Sequence, residues 1–205
     1  MPADWSRFLP LSSGPRGDES GVSNDWRVPV AERLDRLAVR AASALAASPS
    51  RTEGEAASAV SAAHLLGELV VRLSSSTGQR LATRFGAREA SSPPPPAEIP
   101  AALAALASAR RSGGGPNGVA ELVEVVRAEL ALSSGLALPS RLSGAVALDR
   151  LQRAPLPIRA AIRDRSLAPT DADWRLGRGP AVVAPAEEIL RFLLGLGPFP
   201  AQADA

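Results

Sequence analysis

The sequence predicts an all-α protein, a bundle of four or more helices with one turn-rich or hairpin insertion before the last helix. Apolar residues recur at helical spacing in several separate stretches, with Pro, Gly and Ser clusters between them. Residues 167–183 read as a turn-rich or hairpin segment. The chain has 205 residues, 45% of them hydrophobic and 21% charged, enough to bury a core without staples.

Residues 1–24 are rich in Ser, Gly, Pro and charge, so a disordered or loosely attached arm is expected there, with Trp5, Phe8 and Leu9 able to dock it. The helical domain should occupy residues 25–197, with a C-terminal tail over 198–205. The first helix runs from Val28 to Ala47, with Pro29 in its first turn and Val30, Leu34, Leu37, Ala41 and Leu45 on one stripe. Glu32, Arg33, Asp35, Arg36 and Arg40 lie off that stripe, and Ser48-Pro49-Ser50 ends the helix. A second helix, Glu55 to Leu73, is apolar on more than one side, which suits a central position. His64 lies in line with its Val60 and Val71, and Glu68 follows one turn later.

Thr77-Gly78 is a turn signal, Leu81 to Ala90 fits a short helix or an extended piece, and Ser91 to Pro96 reads as a polyproline-like linker. A short helix follows over Pro100 to Arg111, and the glycine-rich run 113–118 reads as a flexible joint. The helix Val119 to Leu132 carries Leu122, Val123, Val126 and Leu130 on its core side. Its neighbouring row is Glu121, Val125, Ala128 and Leu132, which puts a carboxylate in an otherwise apolar line. Helices are also expected over Arg141 to Arg153 and Ile158 to Arg165. The last helix begins at Pro185, with Glu187 and Glu188 favourably placed at its N-terminus, and Gly195, Gly197 and Pro198 stop it.

Composition excludes several function classes. Cysteine is absent, so a disulfide framework, a thiolate metal site and a cysteine nucleophile are ruled out. His64 is the sole histidine, so one chain cannot form a two-histidine metal site. The basic residues are all arginine, and their 23 charges nearly balance 21 acids, leaving no strong field for nucleic acid or anionic lipid. Aromatics are only 3% and tyrosine is absent, so base-stacking platforms are not expected. About forty alanines with no lysine point to a GC-rich, actinobacterial genome. No apolar run reaches transmembrane length and no leader is visible, which makes the cytoplasm the expected location.

The remaining candidates have ordinary structural uses. A lone histidine on an apolar row is usually a satisfied core residue. Asp171 and Asp173 suit turn amides, and Trp174 suits a plug at the bundle end. Arg150, Arg153, Arg159, Arg163 and Arg165 read as a solvated face. Gly177 and Gly179 lack the spacing of a phosphate loop, and Ser133-Ser134-Gly135 is no nucleophile elbow.

Two stretches carry a family resemblance. Thr170-Asp171-Ala172-Asp173-Trp174, Gly177, Gly179-Pro180, Val182, Pro185-Ala186 and the leucine-rich last helix form one of them. They resemble the C-terminal part of the mycothiol-dependent maleylpyruvate isomerase-like family, within the DinB-like group of metal-binding four-helix bundles. Ala62-Ala63-His64-Leu65-Leu66-Gly67 is similar to that family's second-helix motif, whose histidine binds metal. Where the family usually has Cys-x-Gly-Trp, this chain has Thr52-Glu53-Gly54-Glu55 and shares only the glycine.

The resemblance implies a divalent metal, often zinc, held by two histidines and one acid. The acid and the second histidine commonly lie four residues apart on a later helix. Glu121-Leu122-Val123-Glu124-Val125 matches that helix best, making Glu121 the acidic ligand and placing Val125 where the second histidine belongs. His64, Glu121 and Glu124 form the implied ligand set, with Glu68 an alternative third donor. The metal would activate mycothiol by lowering its thiol pKa and keeping a coordination position open. Oxygen donors in place of imidazole make the site harder.

The implied activity is that of a thiol-dependent isomerase or transferase acting on a small electrophile. The alternative is a catalytically degenerate bundle that serves as a binding or regulatory module. An arginine-driven nucleic-acid or protein adaptor comes third. The last helix also offers a surface for a homodimer.

Overall fold

The computed structural model describes residues 24–47, 53–75 and 92–200. The arm with Trp5, Phe8 and Leu9, the Ser48-Pro49-Ser50 stop, Thr77-Gly78 and the segment Leu81 to Ala90 lie outside those residues.

Seven α-helices and a small three-stranded sheet make up the described fold. The helices are α1 (Arg27–Ala46), α2 (Glu53–Ser74), α3 (Ile99–Arg111), α4 (Val119–Leu132), α5 (Ser140–Arg153), α6 (Leu156–Ile162) and α7 (Ala186–Leu193). The strands are β1 (Ser166–Pro169), β2 (Leu176–Gly177) and β3 (Ala181–Ala184). The molecule is therefore mostly helical but not all-α: the expected insertion is a sheet. β1 is its middle strand, antiparallel to β2 and parallel to β3.

Apolar stripes decide which faces are buried. On α1 the buried row is Val30, Leu34, Leu37 and Ala41, as its spacing requires, and it packs most extensively against α3. Leu45 and Val39 stay exposed. Arg33, assigned to the polar side by pattern, is buried.

The central helix is α4 rather than α2. It touches α1, α2, α5 and α7, and both of its rows are buried, including Glu121, Val125 and Ala128. On α2 Leu66, Gly67, Leu69, Val70 and Leu73 are buried, with Ala63 and Leu65 packed partly against the core, while Val60 stands 70% exposed. Gly67 lets the proline segment approach, since a Cβ there would lie 3.1 Å from Pro93 Cβ.

The glycine-rich run after α3 is a fastened cover and not a loose joint. Arg27 Nη1 donates to the Gly113 carbonyl at 2.6 Å, and the Trp26 amide donates to the Asn117 carbonyl at 2.9 Å. Gly115, at φ +76°, lies directly over the Arg110 guanidinium.

The sheet closes one end of the bundle. Leu167, Val182 and Ala184 are buried, and β1 packs on α7. Gly179 has φ +108°, and a Cβ there would sit 2.2 Å from the Asp164 carbonyl oxygen, so only glycine fits this turn. Trp174 packs over Gly144, and its Nε1 donates to Ser143 Oγ at 2.9 Å. Asp171 Oδ1 accepts the Ala186 amide at 2.7 Å and so satisfies an otherwise orphan donor at the start of α7. Past the end of α7, Phe199 packs edge-on against Phe192, so part of the expected tail belongs to the folded body.

Among the described residues no helix is long and apolar enough to cross a membrane.

Candidate functional site

The three candidate ligands stand on the two helices the sequence assigned, α2 and α4, but are not brought together. His64 lies on the outer face of α2 with its side chain 69% exposed. Expectation from the apolar row placed it in the core. That row faces outward in the N-terminal half of α2, as exposed Val60 also shows. His64 Nε2 is 3.2 Å from Glu68 Oε1, one turn along the same helix.

Glu68 continues a polar chain toward α4. Arg72 Nη2 donates to Glu68 Oε2 at 3.2 Å, and Arg72 Nη1 donates to Glu124 Oε2 at 2.7 Å. An arginine therefore occupies the space between Glu68 and Glu124, and a cation among these acids would compete with a charge already there.

Glu121 points elsewhere, into the core. Arg110 grips it with both arms: Nε donates to Oε2 at 2.7 Å and Nη2 to Oε1 at 2.8 Å. The same guanidinium donates to the Leu73 carbonyl at 3.0 Å, which ties α2, α3 and α4 together. Both side chains are almost wholly buried, and bidentate geometry of this kind is strong and specific. Val125, one turn later, is fully buried among apolar neighbours. Among the described residues no three His, Asp or Glu side chains stand close enough to hold a metal ion. The donor set thus does not fit a zinc site: one carboxylate is neutralised by Arg110, one is engaged by Arg72, and the imidazole is on the outside.

A second buried pair was not anticipated. Arg33 Nη1 lies 3.4 Å from Glu129 Oε2, with both side chains almost wholly buried. Burial holds the Glu129 carboxyl above the usual carboxylate range, although Arg33, Arg36 and Arg40 pull the other way. The available signal was the spacing of Arg33, three residues after Val30 and beside Leu34 on the buried stripe.

Two concavities flank these groups. An apolar cavity of about 440 Å³ lies between α1, α2 and the proline segment, lined by Ala41, Leu45, Val60, Ala63 and Pro94 among others, with His64 at its rim. Another of about 360 Å³ opens beside Arg36, Arg40, Glu129 and Ser133. The arginines expected on a solvated face are largely exposed, Arg153 pairing with Asp149 one turn before it. Asp171 and Trp174 hold structure, as their residue types suggest.

No protein-family model, curated protein or solved structure matches this chain.

Proposed function

We propose that this chain is a catalytically degenerate relative of the maleylpyruvate isomerase-like bundles, serving as a binding or regulatory module and not as a metal- and thiol-dependent enzyme. One observation carries the proposal. The carboxylate that would be the acidic ligand, Glu121, is buried in a bidentate pair with Arg110, and the second-histidine position is a packed valine. Breaking that pair to admit a metal would strand a buried guanidinium, at a cost of about 3–5 kcal/mol. Activation of a thiol requires an accessible metal with an open position, and His64 with Glu68 supplies only two donors.

The apolar cavity beside His64 is the natural ligand site of such a module. Its walls are Ala, Val, Leu and Pro side chains, suited to a small apolar molecule held by burial rather than by polar contacts.

Elemental analysis of the purified, untagged chain tests the proposal. Neither wild type nor His64→Ala should carry stoichiometric metal, and added zinc should leave the melting temperature of both unchanged. One zinc per chain in wild type, lost in His64→Ala, would restore the enzyme assignment and warrant assay of thiol addition to maleylpyruvate.

A further inference from the structure

The 360 Å³ cavity beside α1 and α4 is lined by more cations than anions and by a carboxylate with one protein donor. Arg36 and Arg40 line it, with Glu129 and Ser133 from the end of α4 and the apolar Leu37, Val39 and Leu136. Buried Arg33 lies behind Glu129. Three cations therefore meet one anion. Glu187 and Arg191 on α7 pair with each other, and Glu187 also accepts the Leu136 amide, while the exposed Glu32 stands one turn before Arg36 on α1.

Hydrogen bonding is equally unbalanced. A carboxylate has about four acceptor sites. Among the described residues the Glu129 carboxylate receives a single hydrogen bond, the 3.4 Å one from Arg33. Its other oxygen has no protein donor among the described residues, and Glu129 lines the open cavity. The contrast with Glu121, held by two bonds of 2.7 and 2.8 Å, is internal to the same helix. Arg36 has no hydrogen-bond or ion-pair partner among the described residues, and Arg40 spends one donor on the Leu132 carbonyl at 2.9 Å.

We propose that Arg36, Arg40 and Glu129 form a binding site for a small organic carboxylate that also carries a hydroxyl or ammonium group. Its acid group sits on the two arginines, its donor on Glu129, and its hydrocarbon body against Leu37, Val39 and Leu136. Arginine suits the first contact because its planar fork matches a carboxylate. Glu129 suits the second because a ligand donor can reach a carboxylate oxygen that no protein donor engages. The site is separate from the apolar cavity at His64 and does not depend on what that cavity holds.

Three probes that share one aromatic body test this with the full chain: 3-phenyllactate, 3-phenylpropionate and phenethyl alcohol. Isothermal calorimetry should give 3-phenyllactate a Kd on the order of 1 mM or tighter. Removing its hydroxyl should weaken binding by about tenfold, and removing its acid should abolish it. Arg36→Gln and Arg40→Gln should each weaken 3-phenyllactate by at least about tenfold. Arg36 is exposed, so its variant should melt where wild type does. Glu129→Leu, which removes the acceptor, should equalise 3-phenyllactate and 3-phenylpropionate. Should that variant not fold, Arg36→Gln still decides. The proposal is overturned if 3-phenyllactate shows no saturable binding, if wild type fails to prefer it over 3-phenylpropionate, or if Arg36→Gln binds it as wild type does.

Discussion

Removing the Glu121 charge should be among the most damaging single changes in the core. In Glu121→Gln the Arg110 guanidinium, with its side chain only 6% exposed, keeps the Leu73 carbonyl at 3.0 Å but loses its counter-ion. Opposite charges about 4 Å apart attract by about 4 kcal/mol at an effective dielectric of about 20. Stranding one partner of a buried pair costs about 3–5 kcal/mol. Against a total stability of about 5–15 kcal/mol, that is a large fraction. With a urea slope of about 2 kcal/mol/M, the midpoint should fall by about 2 M. Arg110→Met should do comparable harm from the other side. The double variant Arg110→Met/Glu121→Leu should recover most of the loss, because apolar side chains of similar volume replace buried pairs at little cost. Urea unfolding of the four proteins measures all of this. Single variants within about 1 kcal/mol of wild type would refute the reasoning. Glu121 would then be solvated enough to serve as a ligand, and the degenerate assignment would fall with it.

Three smaller perturbations test the scaffold. Gly115→Ala forces a Cβ to 2.4 Å from Arg110 Cζ at φ +76°, and Glu121 and Leu73 stop the guanidinium from swinging aside. A loss of about 2 kcal/mol or more is expected in urea unfolding, whereas Gly118→Ser, which meets nothing within 4 Å, should stay within a few tenths of about zero. Asp171→Ala removes the acceptor of the Ala186 amide and should cost about 1 kcal/mol, a fall of about 2–4 °C in calorimetric Tm. Asp25 is held down to about 2 by side-chain and backbone hydrogen bonds from Arg27. Because the folded value lies below the unfolded one, its contribution is complete above the unfolded pKa near 4 and disappears as pH falls through about 2. The urea midpoints of wild type and Asp25→Asn should therefore differ at pH 6 and converge near pH 2.

Helix positions were legible because local signals set them. Apolar rows at a 3.6-residue period, bounded by Pro139, Pro155 and Pro185 or by the glycines after α3 and α7, place the helices within a few residues of where they form. The roles of Asp171 and Trp174 follow from residue type in a turn-rich segment. The sheet was not legible as a sheet: β2 is two residues long, and β1 pairs in parallel with β3 although β2 lies between them in the chain. His64 was misplaced because periodicity gives the faces of α2 but not which of them a neighbour covers. The buried ion pairs escaped for the same reason. Arg33 meets a glutamate 96 residues away, and the grip of Arg110 on Glu121 depends on how α3 packs against the centre of the bundle.

α4 also shows why a carboxylate on an apolar row is a poor guide to chemistry until its donors are counted. Glu121, Glu124 and Glu129 lie on one helix and look alike in sequence. Glu124 is half-exposed and held by Arg72, so water and a flexible cation share it. Glu121 is buried and held at both oxygens, so its negative charge is spent on joining three helices. Glu129 is buried almost as deeply but held at one oxygen by one long contact, beside a cavity with two more arginines. The least satisfied of the three has most to gain from a ligand, because a new hydrogen bond to it replaces no protein partner. Glu121 and Glu124, the acids the resemblance singles out, are both engaged by arginine, and the carboxylate open to a ligand lies five residues beyond Glu124.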